Sequence, residues 1–231
     1  MISAGLLSSL ALAAFPALVS GLRGRTFTSW DCCKPACGDS KYIDRSNATG
    51  LVAVCNVDND VIRDSRRIVS GCDNGAAYMC DSYLPIPVAD DYSYGFAVAP
   101  GYNCCKCYEL FWLNGYAAGK RMVVQVVNWM PDEEEGTDAG RPGDFAILTP
   151  GGGSGPHESG CIRQYGATWG EDYGGVSSMS DCEQLPENLQ GGCYWRWNWA
   201  GGEITGWDVE YKQIECPARL TEISQCTPAP F

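Results

Sequence analysis

Residues 30 to 37 read Trp30-Asp31-Cys32-Cys33-Lys34-Pro35-Ala36-Cys37 and place one carboxylate between an aromatic ring and two adjacent cysteines. Adjacent cysteines do not readily bridge each other, so each is expected to tie this backbone to a different distant segment. A carboxylate held that rigidly suits chemistry that depends on exact placement. The octet alone leaves a second reading open, in which Asp31 only caps a turn in a disulfide knot.

Other routes to catalysis are poorly represented. Gly152-Gly153-Ser154-Gly155-Pro156 narrowly misses the G-x-S-x-G elbow and lacks its strand-turn-helix setting. His157, the single histidine, follows in a glycine-rich stretch and reads as a loop or surface residue. Gly151 to Gly153 lack the G-K-[ST] ending of a phosphate loop. Cys104-Cys105-Lys106-Cys107 lacks a further C-x-x-C pair at the usual spacer of a zinc site, and there is a single histidine to complete one. Carboxylates remain, and a pair of them is enough to hydrolyse a glycoside, one as acid and one as base. Besides Asp31 there is a dense acidic segment, Asp132-Glu133-Glu134-Glu135-Gly136-Thr137-Asp138, followed by Arg141-Pro142-Gly143-Asp144. A charge run is usually a solvated face. This one falls between two strand-like segments, where a loop could overhang a cleft.

Several elements must position these groups. Strands are expected at Leu51–Cys55, Tyr94–Ala99, Cys107–Leu113, Arg121–Trp129, Asp144–Leu148, Cys193–Trp199 and Asp208–Glu215. In Tyr194-Trp195-Arg196-Trp197-Asn198-Trp199 the alternation would put Trp195, Trp197 and Trp199 on one strand face, as core or wall. Ser180-Asp181-Cys182-Glu183 fits a capping box ahead of a short helix that Pro186 would stop. Twenty-eight glycines and thirteen prolines suit a loop-rich barrel better than a helical bundle.

The first 21 residues carry no charge, and the apolar run Leu6 to Val19 fits a secretory signal peptide cleaved after Gly21. Residues 22–231 are then one domain, because cysteines run from 32 to 226 without a low-complexity break. All fourteen cysteines lie beyond the signal segment, so seven bridges in an oxidising, extracellular setting are expected. The net charge of −12 argues against nucleic acid as a partner, since phosphate binding needs clustered Lys and Arg. Eight tryptophans and twelve tyrosines supply flat faces that can fill a core or stack on sugar rings. Asn47-Ala48-Thr49 is a glycosylation sequon.

The chain resembles the family 45 glycoside hydrolases, which are secreted endo-β-1,4-glucanases. The resemblance rests on the octet with Cys37; Cys104-Cys105-Lys106-Cys107-Tyr108-Glu109-Leu110; Gly119-Lys120-Arg121-Met122-Val123-Val124-Gln125; Pro150-Gly151-Gly152-Gly153; Tyr173-Gly174-Gly175; Gly192-Cys193-Tyr194-Trp195-Arg196; and Cys216-Pro217. It implies a mostly β fold, a six-stranded double-psi β-barrel with long disulfide-tied loops, a few short helices and an open groove. It implies the pairings Cys32–Cys161, Cys33–Cys72, Cys37–Cys104, Cys55–Cys80, Cys105–Cys226, Cys107–Cys216 and Cys182–Cys193. It implies an inverting mechanism in a monomer with no metal or organic cofactor. The partner is a β-glucan polysaccharide, with no membrane attachment after signal cleavage. Asp31 matches the general base, Tyr173 matches a groove tyrosine that stacks on glucose, and Trp30 and Lys34 fall in the substrate-binding motif.

The proton donor departs from the family pattern. Where members write Phe-Asp-Leu-x-Ile-Pro, this chain writes Asp144-Phe145-Ala146-Ile147-Leu148-Thr149-Pro150, so Ala146 falls on the acid's place. Asp144 lies two residues earlier on the same strand face, about 6.6 Å away along a strand. With a shifted register it becomes the first candidate acid, and Asp138 in the acidic loop is the second. Phe27-Thr28-Ser29 replaces a Thr-Arg-Tyr, so a tyrosine near the base is missing, and Asp39 stands where many members have Trp. The competing expectation is a catalytically impaired or expansin-like glucan binder on the same barrel.

Overall fold

The computed structural model describes residues 21–131 and 140–230; residues 1–20 of the expected signal peptide and Asp138 lie outside the described residues. Seven strands run through it: β1 (Leu22–Ser29), β2 (Ile86–Ala89), β3 (Tyr92–Pro100), β4 (Cys107–Trp112), β5 (Arg121–Met130), β6 (Asp144–Leu148) and β7 (Trp207–Ile214). They hydrogen-bond in the order β2-β3-β5-β4-β7-β1-β6, and β3 also pairs with β6. That extra pairing, Ala97 with Ile147 and Val98 with Ala146, closes β3, β5, β4, β7, β1 and β6 into a six-stranded barrel with β2 outside it. β1 with β6 and β3 with β5 run parallel, and the other barrel pairs are antiparallel. This is the double-psi barrel that the resemblance implied.

Alternation along the strands separates two cores. Ala97, Leu110, Trp112, Val124, Phe145, Ile147 and Val209 fill the barrel interior, where Trp112 Nε1 donates to Thr26 Oγ1 at 3.0 Å. The opposite strand faces, with Phe96, Val98, Val123, Ala146 and Leu148, pack under the loops and helices. All seven disulfides form in the pairings implied by the family.

Four of the expected strands match β3, β4, β5 and β7 to within about two residues, and a fifth matches β6 at both ends. Leu51–Cys55 is not a strand. It is buried, but Val52, Ala53 and Cys55 donate to Cys37, Ser224 and Tyr78, three separate partners, so no ladder forms. β1 carried no apolar alternation, because its fully buried residue is the polar Thr26.

Cys193–Trp199 is the clearest correction. It belongs to a helix, α3 (Glu187–Asn198). Trp195 and Trp199 meet four residues apart, stacked at 5.1 Å, while Trp197 packs against the other core. The buried side of this helix includes Gly192 and Arg196, and Tyr194 lies off it, so apolar spacing hid the helical period. The capping box is real but begins at Ser178 with Asp181 at its third position, opening a 3₁₀ turn at Met179–Gln184. That turn ends at Gln184 with Leu185 extended ahead of Pro186, as expected, and Pro186 also precedes the first residue of α3. Shorter helices are α1 (Ser40–Ser46), α2 (Ser159–Tyr165) and α4 (Ala218–Ser224).

Candidate functional site

An open groove of about 740 Å³ crosses the outer face of the barrel. Its floor is Phe27 from β1, Val98 from β3, Ala146 from β6 and the β5 end, Asn128 to Met130. A register shift between Ala97 and Val98 lets β5 bulge at this point. Bulges of this kind re-aim side chains beside functional sites. Here Asn128 Oδ1 accepts from Ala36 N at 2.7 Å and docks the octet onto β5. Trp129 opens on the groove with its ring 5.4 Å from that of Tyr42.

The octet is fastened on every side. Cys32 is bridged to Cys161, Cys33 to Cys72 and Cys37 to Cys104. Trp30 N donates to Gly153 O at 2.7 Å, and Met79 N donates to Cys32 O at 3.2 Å. Cys32 itself adopts φ +59°, a left-handed conformation costly for a residue with a side chain. α2 packs so closely that a Cβ on Gly160 would fall 2.3 Å from Asp31 O, which requires glycine there.

This frame holds Asp31 on the groove with Oδ1 accepting from Cys33 N at 2.8 Å. The residue is only partly exposed, and its recessed carboxyl titrates above the ordinary aspartate value. Loss of solvation is the main cause; the Cys33 N–H and the charge of nearby His157 oppose it. A carboxyl with a raised folded pKa contributes stability below its unfolded pKa that is lost as pH rises through the folded value. Asp31→Asn is therefore expected to melt above the wild type near neutral pH. The gain should vanish in acid, below the unfolded aspartate range. Calorimetry across pH checks this, and an equal or lower Tm at neutral pH would refute it.

The other expected site residues divide. Tyr173 stands on the groove rim with its ring 78% exposed. Lys34 lines the groove, but its ammonium donates to Ser65 O at 2.7 Å and Ile68 O at 3.0 Å, so it braces the neighbouring loop. Trp30 is 3% exposed and is core, a correction to its expected role as a sugar contact. His157 is an exposed loop residue, as expected, but it opens on the groove near Asp31. Sequence reasoning missed Trp129 and Tyr42; an aromatic at the end of a predicted strand was the available signal for Trp129.

Asp144 is not placed opposite Asp31. It is 2% exposed, and it sits beside Arg25 in the parallel β1–β6 register. Arg25 Nε and Nη2 donate to its two oxygens at 3.3 and 3.1 Å, and Arg141 N adds a bond of 3.1 Å. It borders a separate, smaller cavity with Tyr108 and Tyr211. The expected acid is thus a structural ion-pair partner. Sharing a strand face with Ala146 did not bring it to the groove, because two residues along β6 lead away from it. Among the described residues no cluster of His, Cys, Asp or Glu is arranged to hold a metal ion.

Comparison with known proteins agrees with this architecture. The model of glycosyl hydrolase family 45 matches residues 23–227. A protein named endoglucanase from Cryptopygus antarcticus is 37% identical over 95% of this chain and 97% of its own length. A putative endoglucanase type K from Fusarium oxysporum is 37% identical over 88% of this chain, which spans about half (53%) of that relative. The crystal structure of a cellulase from the Antarctic springtail Cryptopygus antarcticus superposes with a TM-score of 0.78 at 36% identity, covering 93% of this chain and all (100%) of that one. A match running from β1 to the last disulfide, on the same closed barrel, places this chain in glycosyl hydrolase family 45.

Proposed function

We propose that the protein is an endoglucanase that cleaves internal β-1,4-glucosidic bonds of cellulose or a related β-glucan with inversion at the anomeric carbon. The observation that carries this reading is Asp31, clamped with a raised pKa on an open groove that has Trp129, Tyr42 and Tyr173 along it. An open groove admits the middle of a polymer, and flat rings at its floor and rim suit the apolar faces of glucose units. Asp31 acts as general base. It withdraws a proton from a water molecule as that water attacks the anomeric carbon from the face opposite the leaving oxygen. The named activity of the Cryptopygus relative, matched over nearly its whole length, supports the same substrate class.

Secretion as a monomer is part of this proposal. Seven disulfides suit an oxidising compartment, and the uncharged apolar first 21 residues suit export.

The test is twofold. Wild-type protein should release new reducing ends from soluble β-glucan, and proton NMR of fresh cellohexaose hydrolysate should show the α-anomer first. No reducing ends, with cello-oligosaccharides still bound, would mean a glucan binder instead. Initial β-anomer would mean retention. A separate expectation concerns the rim: Tyr173→Ala should remove about 0.5–1.5 kcal/mol of stacking, raising KM roughly two- to tenfold with little change in kcat. An unchanged KM on cellohexaose would remove Tyr173 from the binding surface.

A further inference from the structure

Inverting hydrolysis needs a second group that protonates the leaving oxygen, and Ala146 stands on the groove floor where the family resemblance would put it. Resting on the endoglucanase reading above, we propose that Asp172 is the proton donor of this protein.

Four observations lead there. Asp172 opens on the same groove as Asp31, but from a different segment of the chain. One residue, Gly153, lies between Trp30, the chain neighbour of Asp31, and Asp172. Gly153 O accepts from Trp30 N at 2.7 Å, and on its other side a Cβ built on Gly153 would fall 2.4 Å from Asp172 O. Gly153 has φ +97°, so only glycine lets the base segment and the Asp172 segment approach this closely. The next residues complete the link: Gly155 N donates to Asp172 O at 2.8 Å, and the buried Ser154 directs its Oγ to Asp172 Oδ1 at 3.5 Å. The segment is also held from behind, where buried Arg196 donates through Nη1 to Gly174 O at 2.7 Å and is paired with Glu203 at 2.7 Å. A spacer one residue thick is compatible with the carboxyl separation of roughly 6.5–9.5 Å that leaves room for water and a sugar.

Among the described residues, Asp39 and Asp73 are the other acids on the groove. Asp39 accepts from Lys41 N at 2.8 Å as the cap of α1. Asp73 follows Cys72, whose bridge to Cys33 ties it covalently to the segment that carries Asp31. Asp172 is exposed, and among the described residues its carboxyl has only the long Ser154 contact, which leaves it available to a ligand.

Bonds and protons balance in a single displacement. The oxygen of water bonds to the anomeric carbon while the bond from that carbon to the glycosidic oxygen breaks. Asp172 gives its proton to the departing oxygen, Asp31 takes one from the water, and solvent restores both.

Donor and base can be told apart with two substrates. Asp172→Asn should lower turnover of soluble β-glucan by about 10²–10⁴-fold. It should hydrolyse 2,4-dinitrophenyl β-cellotrioside at close to the wild-type rate, because dinitrophenolate leaves without a proton. Asp31→Asn should lose both activities. If the wild type cleaves glucan and Asp172→Asn does so equally well, this assignment alone falls. It falls too if Asp172→Asn loses both substrates in parallel, or if His157→Gln shows the donor signature in its place. A wild type inactive on both substrates would instead overturn the hydrolase reading, and the donor with it. An unchanged circular dichroism spectrum and Tm for Asp172→Asn exclude misfolding as the cause.

Discussion

Asp31→Asn should abolish most glucan hydrolysis, with a fall of about 10²–10⁴-fold in kcat and little change in KM, because a positioned base contributes about that much to the transition state and little to binding. The substitution keeps the size of the side chain and leaves an oxygen to accept from Cys33 N. The surrounding bridges of Cys32 and Cys33 do not involve the carboxyl, so the fold should persist. Reducing-end assays over a range of enzyme concentrations check the expectation, and activity within about tenfold of wild type would fall below the range expected of a base. The same chemistry sets a pH dependence. Asp31 must be ionised to act, and its folded pKa is raised by loss of solvation. Wild-type activity should therefore decline toward acid at a pH above the ordinary aspartate range. A decline that begins only within that range would mean that another group limits the rate. Loss of activity on the acid side would coincide with a gain in fold stability, since the proton that inactivates the base also removes a recessed charge.

Arg25→Ala should cost stability rather than activity. Asp144 is buried and receives both prongs of the guanidinium, whereas the Arg25 side chain is 23% exposed. Removing one partner of a buried pair costs about 3–5 kcal/mol, and the partial exposure of Arg25 argues for the lower end. For a domain of this size about 3 kcal/mol corresponds to a Tm roughly 6–12 °C lower. The kcat measured below that Tm should stay close to wild type, and likewise for Asp144→Asn. A severe loss of kcat in folded Asp144→Asn would restore Asp144 to the reaction. A Tm unmoved by Arg25→Ala would show that Asp144 is satisfied without its partner. Tyr211 is also affected: burial and the charge of Asp144 both push its phenol up, so Asp144→Asn should lower that pKa.

Much of this molecule is legible in its amino-acid sequence. Asp144–Leu148 and Arg121–Met130 are runs whose β propensity and apolar content leave little choice, and the local chain settles them. The double cysteines carried the family resemblance, and the resemblance carried all seven bridges, the closed barrel and Asp31 on a groove. Tertiary structure decided what depends on neighbours distant in sequence. A strand's period of two says which face a side chain takes but not which end of the strand meets the cleft or which residue stands opposite. The register of β1 against β6 therefore turned Asp144 into the partner of Arg25. Trp30 entered the core although its neighbour lines the groove. The Trp195–Trp199 run became a helix because four-residue stacking and burial against the barrel outweighed its alternation. Asp172, separated from Asp31 by 141 positions in the chain, lines the same groove, where Gly153 lets its segment approach that of Trp30 closely.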